Sequence, residues 1–481
     1  MARARVVLYH PRVESRNLPL PLLHLASMLP EFDVRIVDGR IDLTPESSLA
    51  ELAEGALCLG VTVLTGRPTL DALRASRAVK RKQPALPVIW GGWHPSLLPD
   101  QCLASPAVDA CVRGQGEETF REVVLRLAAG QELTGARGVS HKRGGEVLAN
   151  PGRAFREVNS LRSVDFGLVD LERYFVLRGS RRLDYASSQT DPLARRTQAA
   201  SGVDGGGWSG LDAGRVADEI AGHRARFRLE RLGFSDADFF RDLKRAERFA
   251  QGLIERQAVL PWSGAGRAGV IRRLTREQMA LLRASGCYKV TVGTEYDGGR
   301  GTDAIRRGPA TEEIIEAAEG LSRAGIGARF PFTAGFPGEP ASSLADTYRT
   351  VKALRRINPR FETPIYFCAP YPGTELGSRL SELGLAPPAR IEDWDHVELD
   401  HSIGPWISEP VRKFVPRYNF YFRYAFEPRP RGLGKRLARW FARQRVRYDF
   451  YRFDFERRLV DLSRRLRTGL PARQQPSEGE E

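Results

Sequence analysis

The sequence predicts an α/β protein: an open parallel sheet with helices on both faces, then a partial (β/α)6 barrel, then a basic helical extension. Two observations predict this order. Apolar strands alternate with amphipathic helical stretches twice over, within residues 1–133 and again within 182–400, and such alternation builds parallel sheets. From Pro410 the composition changes to arginine interleaved with aromatics. A chain of 481 residues is also too long for a single core, in keeping with several domains.

Composition narrows the class. Hydrophobic residues make up 42% and charged residues 28%, ordinary for a chain that buries substantial cores. Met1–Val7 leads directly into a short β-type segment without the apolar stretch of a signal peptide, and no later run is apolar enough to span a bilayer, so the expected location is the cytoplasm. Cysteines stand at 58, 102, 111, 287 and 368, a spacing that offers neither a CxxC zinc pair nor a disulfide framework, so they read as buried thiols. The net charge of +15 is concentrated: residues 410–473 hold 19 Lys and Arg against 5 Asp and Glu, which leaves the remaining body almost neutral.

In the first part the elements run Arg5–Tyr9, Leu20–Leu29, Asp33–Val37, Leu49–Glu54, Ala56–Leu64, Thr69–Lys82, Val88–Gly92, Val108–Arg113 and Glu117–Ala129, strand and helix by turns. This is a Rossmann-like pattern, and ligands of such sheets sit beyond the C-terminal ends of the strands. The loops expected there carry Thr62, Leu64, Thr65 and Gly66 after the third strand, Gly91, Gly92, Trp93 and His94 after the fourth, and Gly114, Gln115, Gly116 and Glu117 after the fifth. Glycine there permits close backbone approach.

After a less regular connector, residues 134–181, strands are expected near 182–188, 231–236, 261–267, 288–295, 327–335 and 362–369, with helices over Val216–Phe227, Ala246–Ile254, Thr275–Ala284, Thr311–Ala324 and Leu344–Ile357. Thr275 and Thr311 are expected as hydroxyl caps, and Gly286 and Gly325 as helix stops. Residues 401–473 form the basic extension, with one or two amphipathic helices over Leu433–Arg467, and residues 474–481 read as a frayed end.

These motifs carry a resemblance. The loops of the first part resemble the cobalamin-binding domain of the B12-dependent radical S-adenosylmethionine (SAM) family. Leu183 to Ser188, Gly293-Thr294-Glu295, Gly335-Phe-Pro-Gly338-Glu339 and Tyr371-Pro-Gly-Thr374 look like the first, fourth, fifth and sixth strand motifs of that family's barrel. Together they cover most of residues 1–400. The resemblance implies a cobalamin site at Thr62, Leu64, Thr65, Gly91, Gly92, Gly114, Gly116 and Glu117, and a SAM site at Arg267, Thr294, Glu295, Gly335, Gly338 and Glu339.

One departure decides the chemistry. Where the family carries three cysteines that hold a four-iron four-sulfur cluster, this chain has Asp191, Arg195 and Gln198. Clusters of this kind need thiolates, and a permanently charged guanidinium has no lone pair to give. The cluster is therefore expected to be absent, and with it the electron that cleaves SAM homolytically. Polar transfer of a methyl group from SAM through cobalamin to a small-molecule acceptor remains as an enzymatic reading. A catalytically degenerate paralogue that serves as scaffold or regulator of an intact radical SAM protein is the alternative.

Further residues stay open. Asp236 and Asp238 end a strand where the family often places a carboxylate, though solvated loop acids read equally well. His10 follows the first strand and is a candidate lower cobalt ligand or an ordinary loop histidine, and His94 is expected to pack against its loop. Asp191 and Arg195, four apart, suit an ion pair in the vacated pocket. For the basic extension, no nucleic-acid motif is present. A peripheral membrane contact and a plain cover for the barrel edge are the two readings left.

Overall fold

The computed structural model describes residues 3–13, 15–190, 207–294, 309–339, 341–396, 404–426, 433–451 and 455–457. Its first sheet is built from β1 (Arg5–His10), β2 (Asp33–Asp38), β3 (Ala56–Thr62), β4 (Val88–Gly91) and β5 (Ala110–Val112), all parallel, in the order 2-1-3-4-5. Helices α1 (Leu20–Ser27), α2 (Pro45–Leu52), α3 (Arg67–Lys82), α4 (Trp93–Leu97) and α5 (Glu117–Ala128) connect these strands or follow them. Strand periodicity explains the two layers. Val6 and Leu8 face one apolar cluster with Phe120 and Val123, whereas Val7 and Tyr9 face the other with Leu73 and Trp90.

The connector holds more order than its sequence suggests. β6 (Val139–Arg143) and β7 (Glu146–Ala149) form a hairpin that extends the sheet antiparallel beyond β5. Helix α6 (Leu171–Arg178) then leads into the second sheet.

That sheet runs β8 (Arg182–Tyr185), β11 (Arg231–Phe234), β12 (Trp262–Arg267), β13 (Cys287–Gly293) and β14 (Gly327–Arg329), parallel and in sequence order. Between β8 and β11 lies the short antiparallel pair β9 (Ser188–Thr190) and β10 (Trp208–Gly210). The fifth barrel strand is interrupted. Pro331 offers no N–H to a ladder, and the chain resumes as β15 (Phe332–Ala334), which pairs with β16 (Ile365–Phe367). Phe330 N donates to Glu362 O at 2.7 Å and carries the curve across the gap, which gives the expected open six-stranded barrel.

The barrel helices are α7 (Ala213–Phe227), α8 (Leu243–Glu255), α9 (Arg276–Ala284), α10 (Thr311–Arg323) and α11 (Ala341–Ile357). Thr275 caps α9 in a reciprocal capping box with Gln278. Thr311 does not cap. It is the first helical residue of α10, and Ala310 at the cap position supplies no side-chain bond. α12 (Glu409–Ala425) packs on the barrel edge through Val415, Tyr418 and Tyr421, and α13 (Leu433–Arg447) through Ala442 and Val446. Among the described residues no helix is long and apolar enough to cross a membrane.

Candidate functional site

In the first sheet, β1 lies between β2 and β3, so the chain leaves β1 toward one side and β3 toward the other. This reversal opens a crevice at the C-terminal ends of the strands. The three loops singled out in the sequence emerge at that edge, and hydrogen bonds lace them together. Val63 N donates to Gly91 O at 2.8 Å, and His94 N donates to Val63 O at 3.2 Å. Ser96 Oγ donates to Gly92 O at 2.6 Å and accepts from Gly114 N at 2.9 Å. Gly92 has φ +101°, and a Cβ there would stand 3.0 Å from Val63 O, so torsion and spacing both demand glycine.

Thr62 ends β3 in register with Gly91, and Thr65 Oγ1 meets His94 Nδ1 at 3.1 Å. Leu64 stands 51% exposed at this edge. An exposed apolar side chain at a strand-end edge suits a flat, largely apolar macrocycle, and Gly114, at φ +76°, turns the third loop of that edge. The residues of this edge therefore fit a corrin ring.

The two histidines have ordinary partners. His10 is buried, and its Nδ1 lies 2.9 Å from Pro11 O, so the ring donates to that carbonyl. Burial, aided by Arg40, pushes its pKa down to about 4, and the imidazole is neutral at pH 7. His94 is fully buried and packs edge-on against Trp394, with ring centroids 5.4 Å apart. Trp394 belongs to a segment that docks on the first domain: its Nε1 donates to Gln101 Oε1 at 2.6 Å, and Ile391 completes that domain's core.

The crevice continues into the barrel mouth. Gln189, on β9, donates to Glu117 Oε1 at 2.5 Å, and its own Oε1 accepts from Gln115 Nε2 at 2.8 Å. Gln115 Oε1 in turn accepts from Arg156 N at 2.8 Å. Deeper in the same junction, Leu18 N donates to the buried Asp184 Oδ2 at 2.8 Å, and Tyr174 OH donates to Asp38 Oδ2 at 2.6 Å. Sequence reasoning missed Gln189, whose partners lie more than seventy positions away.

At the barrel mouth Asp236 is not a solvated loop acid. It is buried, accepts from Ser187 N at 3.0 Å and from Ser187 Oγ at 2.9 Å, and also accepts from Ser188 Oγ. Arg245, also buried, donates to Ser187 Oγ at 2.6 Å and to Leu211 O at 2.7 Å. Burial pushes the Asp236 carboxyl up, against the pull of these donors and of Arg245. No local pattern in the sequence marked Arg245.

Arg267 ends β12 and pairs with Asp238 at 2.9 Å, while Thr294 donates to Pro331 O. Glu339 turns back on its own loop: Oε2 accepts from Gly335 N at 2.5 Å and Phe336 N at 3.1 Å, and Oε1 accepts from Ser343 Oγ at 2.5 Å. Gly335, at φ +82°, lies against Ile407, and Gly338 has open space where a side chain would be. Among the described mouth residues the Glu339 and Asp238 carboxylates are taken up within the protein, and exposed backbone at Gly338 and the strand ends is what a ligand could meet. Glu295, Asp191, Arg195 and Gln198 lie outside the described residues.

All five cysteines are buried and outside any disulfide, three in the first domain and two in the barrel, and none lies between positions 188 and 206. Residues 188–206 therefore offer no thiolate to a four-iron four-sulfur cluster.

Residues 11–124 match the B12 binding domain family. The chain is 27% identical over 363 residues to an uncharacterized methyltransferase, PH0819, of Pyrococcus horikoshii, covering 74% of this chain and 77% of that protein. It is 24% identical to the anaerobic magnesium-protoporphyrin IX monomethyl ester cyclase of Rubrivivax gelatinosus, covering 67% of this chain and 58% of that one. Among solved structures, the radical SAM methyltransferase TsrM from Kitasatospora setae, with cobalamin and a [4Fe-4S] cluster bound, superposes with a TM-score of 0.68 at 17% identity, covering 92% of this chain and all of the other. The cobalamin-dependent SAM radical enzyme OxsB superposes with a TM-score of 0.58 at 19% identity, covering 74% of this chain and 52% of OxsB.

Proposed function

We propose that this chain, whose fold resembles that of cobalamin-dependent radical SAM methyltransferases and whose residues 11–124 match a B12 binding domain, binds cobalamin and SAM and transfers a methyl group to a small molecule without an iron–sulfur cluster. The observation that carries this reading is the junction at Gln189. One side chain joins the Gly114–Glu117 loop of the cobalamin crevice to the short strand β9, after which residues 191–206 offer no thiolate.

Thr62, Leu64, Thr65, Gly91, Gly92, Gly114, Gly116 and Glu117 would hold the cobalamin, with Leu64 against the ring and the glycine loops beside it. Arg267, Thr294, Glu295, Gly335, Gly338 and Glu339 would frame SAM. Arg267 and Thr294 stand at strand ends, and Glu339 acts by holding the Gly335 loop in shape. Bound cobalamin supplies a nucleophilic metal that can accept and release a methyl group without one-electron cleavage of SAM. The chain's task is to exclude water and align the two ligands across the Glu117–Gln189 contact.

A second reading, a non-catalytic partner of an intact radical SAM protein, draws support from Glu339 and Asp236, whose carboxylates are both fully engaged within the protein.

The test incubates anaerobic protein, loaded with hydroxocobalamin and a strong reductant, with SAM. The proposal expects SAM binding and slow release of S-adenosylhomocysteine, and a Leu64→Arg variant should lose corrinoid affinity about tenfold or more. Release of 5′-deoxyadenosine would overturn the non-radical reading. Binding of neither ligand would overturn this reading and favour the scaffold reading instead.

A further inference from the structure

We propose that α13 is a docking surface for an anionic lipid bilayer. Along this helix Leu433, Leu437, Trp440 and Phe441 recur at helical spacing and are 75, 51, 55 and 46% exposed. Tyr448, the residue just after the helix, continues the stripe and is also exposed. The opposite face is buried on the protein: Ala442 and Val446 enter the barrel's core cluster, and Arg445 is clamped to Glu456 at 2.8 Å. The apolar stripe is therefore not the helix's packing face.

Charge selects the occupant. Lys435, Arg436, Arg439, Arg443, Arg445 and Arg447 share the helix with no acidic residue between positions 433 and 448. By helical angle Arg436, Arg443 and Arg447 fall together along one border of the apolar stripe. A bilayer with anionic headgroups takes the basic border at its phosphates, and the Leu, Trp and Phe side chains enter its interface. A second copy of this surface would bring like charges face to face. The chain's own residues 458–473 carry five further arginines against one aspartate, so they are no electrostatic match either. For nucleic acid, Leu433 and Leu437 offer neither a stacking plane nor a hydrogen bond.

The experiment is co-sedimentation of the full chain with vesicles of phosphatidylcholine alone or with about one-third phosphatidylglycerol. The full chain should bind the anionic vesicles at least tenfold better than the neutral ones, and raised salt should weaken that binding. Leu437→Ser with Trp440→Ser should lower binding about tenfold at an unchanged melting temperature, while Trp440→Phe should retain it. Equal or absent binding to the two vesicle types would overturn the proposal. So would unchanged binding by the serine variant, preference for an oligonucleotide over vesicles, or a stable dimer through this face.

Discussion

The Gln189 amide and the Glu117 carboxylate, 2.5 Å apart, join the two α/β domains at the point where their strand ends face each other. Removing the amide by Gln189→Ala should cost about 2 kcal/mol, the worth of a hydrogen bond to a charged group. Hydrogen exchange at the amides of 114–117 and 187–190 should then quicken about 30-fold, with the rest of both sheets unchanged.

Asp236 and Arg245 act as a buried unit through Ser187. Asp236→Ala leaves the Ser187 N–H and two serine hydroxyls without their acceptor and the buried Arg245 charge without its nearby counter-charge, and should destabilise the barrel by about 3–5 kcal/mol. Adding Arg245→Met should recover part of that loss, because the stranded charge is gone. Thermal unfolding of the single and double variants measures the coupling.

Stability should fall on acidification below neutrality. His10 has its pKa depressed from 6.5 to about 4, so between those values the unfolded chain binds more protons than the native one. The contribution is complete above pH 6.5 and is lost as the pH falls to about 4, to a limit of about 3 kcal/mol by linkage. The half-buried His24 and His223 are shifted in the same direction by desolvation and add to it. Urea titrations across this range, on the native chain and on His10→Gln, should show a shallower pH dependence in the variant.

How much of this was legible in the sequence depends on range. Period-two strands such as Arg5–His10 and the helix stop at Gly286 declare themselves locally. The Val139–Ala149 hairpin does not, because its edge strands carry His, Lys, Arg and Glu instead of an apolar alternation, although its Gly144-Gly145 turn, at φ +59° and +90°, is a hairpin signal. Helix α12 was obscured by Pro416 in its interior. In the candidate site the glycine loops were readable as strand-end loops. The burial of Asp236 and the clamp at Gln189 were not, since each depends on a pairing about fifty residues or more along the chain.

The sixth-strand loop meets the first domain at Gly373, whose φ is +79° and whose Cβ, if present, would lie 2.8 Å from Leu97 Cδ1. Gly373→Ala should therefore cost about 1–3 kcal/mol through torsion and overpacking together. Leu97→Ala in the same chain should relieve the steric part only. A double-mutant cycle read by thermal unfolding separates the two.

The central claim is that a cobalamin crevice persists beside a pocket with no cluster ligands. Iron, sulfide and corrinoid analysis of the anaerobically reconstituted protein tests it most directly. Stoichiometric corrinoid without iron is the predicted result, and a full four-iron four-sulfur complement per chain would contradict it.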